Sequence, residues 1–307
     1  TSYPEFIIAR FVAGFGAGLV LTTGQVVLAD ISTPEIRGRM IAIYQGTFIF
    51  SVGIGPFPGG LLAEHFGLAA PFVFTGLGSF LATVVAWFAV RETREMARAP
   101  SASGAPSLSF VAQIRTLTRH VGYVLVSLIS LMNAVVRTGG LFAIIPILAT
   151  ARLGLSVTAI GFGLMLGSVA GLFASYPAGW LADKFGRKAV IVPVTVISGL
   201  SMVLFCFAPS YSWFVAACIV WGIAIAAGGA APAAYAADSA PPGMNAAAMS
   251  TFRMTGDIGY VVGPLALGFI ADLYGPVTAL LSGAAGLVLI GAAFGIFAPE
   301  SHRQRKD

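Results

Sequence analysis

Residues 179–188 read GWLADKFGRK; they close one long apolar run, 157–181, and open onto another, 189–208. Each run has the ~20 mostly apolar residues that a membrane-spanning helix needs. The connection is short enough to require a tight helical hairpin. Gly179 and Gly186 permit close helix approach and a sharp turn. Asp183 is suited to accept hydrogen bonds at a helix end or to pair with a basic neighbour. Arg187 and Lys188 tie the hairpin to one side of a bilayer, and they can serve simply as that topology signal.

The pattern extends in both directions. Apolar runs at 5–28, 40–63, 70–90, 121–149, 157–181, 189–208, 213–236, 246–270 and 277–298 predict nine spans. Composition agrees: 57% of the 307 residues are hydrophobic and 9% are charged. An ordinary soluble domain runs near ~45–50% apolar and ~25% charged. Too few charges remain to cover a soluble surface, and a mean hydropathy of +0.90 excludes disorder. The expected fold class is all-α and integral to the membrane.

The net charge of +5 is a topology signal rather than a nucleic-acid footprint. Thirteen of the 17 basic residues fall on one set of alternate loops, 30–39, 91–120, 183–188, 238–245 and the tail after 298. The opposite set carries only Arg152, so the first set and the C-terminus are expected to be cytoplasmic. Arg10, Arg137 and Arg253 fall within spans. Arg far outnumbers Lys, as in high-GC bacterial genes, and the expected location is a bacterial inner membrane. Cys206 and Cys218 lie in apolar runs, and His65, His120 and His302 lie near loops or the tail. No metal ligand set or disulfide framework follows, and no cofactor is expected.

The chain repeats itself at an offset of 208 residues without a gap. Ala29-Asp30 matches Ala237-Asp238, Gly55-Pro56 matches Gly263-Pro264, Gly60 matches Gly268, Gly78 matches Gly286, and Glu92 matches Glu300. The first three spans therefore recur as the last three in the same orientation, a parallel repeat. The expected organisation is 1–93 as three helices of a first lobe, 94–117 as a cytoplasmic linker, and 118–307 as a six-helix second lobe with its tail. The chain starts at Thr1 without a signal peptide, and by the repeat a first lobe of six helices lacks about 100 residues.

These features resemble the major facilitator superfamily over essentially the whole chain, as the fourth to twelfth of twelve helices. The loop at 179–188 resembles the superfamily's G-x-L-A-D-x-x-G-R-[KR] element, which implies a cytoplasmic latch at Asp183, Arg187 and Lys188. Gly55-Pro56-Phe-Pro-Gly59-Gly60, with Gly46 upstream, resembles the G-P-x-x-G-G element of the antiporter branch, although it equally serves helix packing. Arg10-Phe-Val-Ala-Gly14-Phe-Gly16 resembles an R-x-x-Q-G-x-G element linked to proton transfer, with Ala13 in place of Gln. Arg10 can alternatively snorkel to the outer interface. Residues 30–39, DISTPEIRGR, resemble the family's loop between the fourth and fifth helices.

Asp257 lies roughly ~18 Å into its span and suits a group that gains and loses a proton. Arg253, four residues earlier, can instead pair with it. Arg137, with Asn133 one turn before it, is the candidate contact for an anionic or polar substrate or a partner for Asp257. Phe142, Trp221 and Tyr235 are further cavity candidates. The resemblance implies a monomeric, proton-coupled exporter of small molecules or drugs, driven by the proton motive force and surrounded by lipid. A metabolite symporter or facilitator of the same fold, for an organic acid or a sugar, is the alternative. An enzyme is not expected: the spans carry no nucleophile pair or metal set, and no P-loop is present.

Overall fold

The computed structural model describes residues 3–31, 40, 44, 47, 48, 50–89, 110–241 and 244–300. Among these the chain is helical throughout. The helices are α1 (Tyr3–Ile31), α2 (Pro56–Phe66), α3 (Ala70–Ala89), α4 (Phe110–Leu117), α5 (Val121–Val135), α6 (Ile145–Leu153), α7 (Val157–Phe185), α8 (Arg187–Cys206), α9 (Tyr211–Asp238), α10 (Asn245–Tyr274) and α11 (Pro276–Phe297). A π-helical stretch, Val136–Ile144, joins α5 to α6.

Eight helical runs among the described residues are long and apolar enough to cross a membrane, against nine expected. The exception is the run predicted over 40–63. Residues 41–43, 45, 46 and 49 lie outside the described residues, and Gly55 is a turn that ends the segment before α2. Gly55 keeps right-handed helical angles, φ −48° and ψ −41°, ahead of Pro56 at the start of α2.

The chain divides into two compact units, Thr1–Val52 with Phe72–Ala105 and Gly53–Pro71 with Pro106–Asp307. In the first, Phe6 of α1 meets Phe72 of α3 edge-on at 6.4 Å, and the Tyr44 hydroxyl donates to Leu21 O at 3.4 Å. Both helices present wide apolar faces.

In the second unit, α7 packs on α9 and α2, α8 on α9 and α11, and α10 on α5. Lipid tails give no hydrophobic drive for helices to associate, so small residues that let backbones touch carry the packing. Gly167 and Gly171 of α7 face the backbone of Cys218 and Gly222 in α9, and a Cβ on Gly222 would collide with Gly167 O. Gly256, Gly259 and Gly263 of α10 face Ser130, Leu131 and Val135 in turn. The two helices therefore run parallel in fixed register. One apolar cluster holds Leu148, Phe205, Phe214 and Trp221; the other holds Leu117, Tyr123, Tyr235 and Phe294.

The π-helical stretch has a local cause. Pro146, early in α6, removes a backbone donor, and Gly139-Gly140 tolerate a widened turn. Gly139 lies so close to Gly263 O that a side chain would collide with it.

Backbone contact at Gly222 makes a sharp comparison with Gly229, whose Cβ position is open. Gly222→Ala is expected to destabilise the protein by about 1–3 kcal/mol through overpacking. Gly229→Ala is expected to be neutral or to stabilise by up to about 1 kcal/mol. Thermal unfolding of the detergent-purified variants checks both.

Candidate functional site

Two groups of polar side chains stand out in the second unit. The first is built on the turn between α7 and α8. Gly186 adopts φ +99°, which only glycine takes comfortably, and so lets α8 begin at once with Arg187. The exposed N–H groups of that new helix end need acceptors. Glu300, just past α11, supplies both: Arg187 N–H donates to its Oε1 and Lys188 N–H to its Oε2, each at 3.1 Å. A Cβ on Gly186 would lie 2.6 Å from Glu300 Oε2, so the carboxylate also needs a glycine there.

The side chains extend the cluster. Arg187 Nε lies 3.6 Å from Asp238 Oδ2 at the end of α9. Lys188 Nζ donates to Ala298 O at 2.8 Å, and the Tyr235 hydroxyl donates to Pro299 O at 2.7 Å. One turn thus ties the ends of α7, α8, α9 and α11 together. Gly179, expected to mediate close approach, has open space beside it, and Gly186 takes that role. The Asp183 side chain lies outside the described residues, as does Gly46. The sequence pointed to Arg187 and Lys188 but not to Asp238 and Glu300 as their partners. The signal was present in the repeat, where Asp30 and Glu92 occupy the matching positions.

The second group lies along α5, the π-helical stretch and α10. Arg253 and Asp257 are exposed on α10, beside the glycine face that packs on α5. Among the described residues no ion pair joins them. The glycine register sets Asp257, next to Gly256, near the height of Asn133 on α5. Asn133 Nδ2 donates to Ile129 O at 3.0 Å, while its buried Oδ1 has no partner among the described residues. Arg137, half-buried in the π-helical stretch, holds its guanidinium 6.0 Å from the centre of the Phe142 ring. Trp221 and Tyr235, expected at a cavity, are packed instead, at 5% and 0% exposure. Arg10 is exposed on α1, in the other unit.

The element read as antiporter-like packs directly on α7. Pro56 O lies against Gly161, and a Cβ on Gly60 would sit 2.8 Å from Thr158 Cα. Gly59 has nothing within 4 Å.

Residues 1–147 and 126–307 match the Major Facilitator Superfamily. The chain belongs to the major facilitator superfamily. It is therefore a multi-pass, all-helical membrane protein of a transporter family. An uncharacterized MFS-type transporter of Methanocaldococcus jannaschii is 22% identical over 275 residues, covering 88% of this chain and 69% of the relative. The uncharacterized MFS-type transporter YcaD of Salmonella dublin is 28% identical over 201 residues, covering 63% of this chain and 48% of the relative. The chain thus spans about half the length of the YcaD protein it matches. Two solved structures share the fold. A D-xylose-proton symporter gives a TM-score of 0.73 at 17% identity, over 97% of this chain and 72% of the other. The human organic anion transporter MFSD10 gives 0.65 at 18% identity, over 95% and 71%.

The cap on α8 is open to test. Glu300→Ala is expected to speed amide exchange of Arg187 and Lys188 about tenfold, the scale of one lost N-cap. Asp238→Asn removes a surface pair that contributes about 1 kcal/mol at most, and it is expected to leave that exchange nearly unchanged. Hydrogen exchange with mass spectrometry on the two variants separates cap from ion pair.

Proposed function

We propose that the protein is a secondary active transporter that exports small molecules or drugs in exchange for protons by alternating access. The observation that carries this reading is Asp257. It is a carboxylate midway along a spanning helix, on an exposed face, with no ion pair to Arg253 among the described residues. An ionisable group at that depth is costly and marks a transport path. Asn133 and Arg137 on the adjoining helix are the residues assigned to substrate. Arg253 and Arg10 assist the proton path. The cluster of Arg187, Lys188, Asp238 and Glu300 acts as a cytoplasmic latch that forms and breaks as access alternates. The Gly55-Pro56 element supports antiport over symport.

In this reading the protein is a monomer in a bacterial inner membrane, and the excess of basic residues on one set of loops supports a C-terminus inside. A green fluorescent protein fused after Asp307 is expected to fluoresce, and alkaline phosphatase at the same place to be inactive. The opposite pair of results reverses the topology.

A second reading, a symporter or facilitator for an organic acid or sugar, draws on Arg137. Its cationic group beside the Phe142 ring suits an anionic metabolite. Flux in inverted vesicles separates the two. Dye efflux driven by an imposed pH gradient is expected for wild type and is expected to fall at least tenfold in Asp257→Asn. Unchanged proton coupling in that variant removes Asp257 from the path, and uptake of an organic acid with protons replaces export by symport.

A further inference from the structure

The seam between α2 and α7 ends in a bond that packing alone does not explain. Ser156 caps α7 by accepting from Ala159 N–H at 3.2 Å. In a self-contained capping box the third helical residue would be Glu or Gln, but here it is Ala159. A different free donor of this helix end is met from 94 residues away: Thr158 N–H donates to Glu64 Oε1 at 3.0 Å. Glu64 sits near the end of α2, at the start of the 64–69 connection, opposite the basic loops. The Ser156 hydroxyl, and then the Thr158 amide, hold its carboxyl below the ordinary carboxylate value of 4.5. His65 beside it also favours the ionised form.

Behind this bond the two helices touch at backbone distance. Gly60 lies on Thr158, Pro56 O on Gly161, and Gly53 on the Ser168 hydroxyl. Phe57 meets Phe162 edge-on at 5.4 Å. The contacts run in antiparallel order, so the seam can open from the Glu64 end inward. We propose that Glu64 is a carboxylate latch that holds this seam closed on the side opposite the basic loops. Releasing it is then one step of alternating access, so the proposal rests on the transporter reading.

The repeat supplies an internal control. At the 208-residue offset Glu64 becomes Asp272 and Gly60 becomes Gly268. Asp272 is exposed and has no hydrogen-bond partner among the described residues, and Gly268 has nothing within 4 Å.

The sign of the pH effect follows from the lowered value. The latch is complete at pH above about 4.5 and weakens as pH falls through the lower value of the bonded carboxyl.

Thiol labelling of the full chain in lipid nanodiscs tests the latch. Cys206 and Cys218 are buried, so a cysteine at Ser168 is the reporter, placed deep in the seam opposite Gly53. Ser168→Cys alone is expected to react slowly with a hydrophilic maleimide at neutral pH. Adding Glu64→Ala is expected to speed the reaction about tenfold, and Glu64→Gln, which keeps the size of the side chain, several-fold. Adding Asp272→Asn is expected to leave the rate unchanged. Equal rates with and without the Glu64 substitutions overturn the proposal, as does equal acceleration by Asp272→Asn. Labelling needs no substrate. A working latch without proton-driven flux overturns the exporter reading alone, and unchanged labelling in a flux-competent protein overturns the latch alone.

Discussion

A helix that ends at a membrane boundary leaves backbone groups that neither lipid nor its own turn can satisfy. Much of the second unit is arranged around meeting that need from a distance. Glu300 accepts from the first two N–H groups of α8, and Glu64 accepts from the start of α7. The guanidinium of Arg152 donates to Cys206 O at the far end of α8, and Lys188 Nζ donates to Ala298 O just past α11. In each case the partner is remote in sequence, so a helix end becomes a joint between elements. Each joint combines a charged side chain with a helix terminus of the favourable sign: acids at N-termini and bases at C-termini.

Between these joints, glycine sets how closely the helices approach. The seams of α7 with α9 and of α10 with α5 are lined by residues whose missing Cβ is filled by a neighbouring carbonyl. Such seams are stiff against rotation, because turning either helix brings a side chain onto backbone. Arg253 and Asp257 cannot rotate into the α5 seam without lifting Gly256 and Gly259 from their contacts.

Eight spans were legible in the sequence because they rest on composition over ~20 residues, which lipid enforces directly. The 179–188 loop was legible for the same reason, being a polar break between two apolar runs. Two kinds of feature were not. Gly179 and Gly186 look alike in sequence, yet only Gly186 has a positive φ and a carboxylate beside it. Trp221 and Tyr235 both lie on α9, which is apolar all round, so no periodicity tells packed from open faces, and both proved buried. Long-range caps were hidden because Glu64 and Glu300 each sit in an ordinary polar connection. Their partners are backbone amides, which carry no residue-type signal. The repeat gave the one hint, pairing Glu92 with Glu300.

The Gly-Pro element shows how a motif and its mechanics separate. Read as a pattern, GPFPGG marks a branch of the family. In the structure its parts do different things. Pro56 opens α2, Pro56 O and Gly60 lie against α7, and a Cβ on Gly59 would meet nothing within 4 Å. The 11-residue helix that carries Glu64, Pro56–Phe66, is thus fastened to α7 along one side, at Pro56, Gly60 and Glu64.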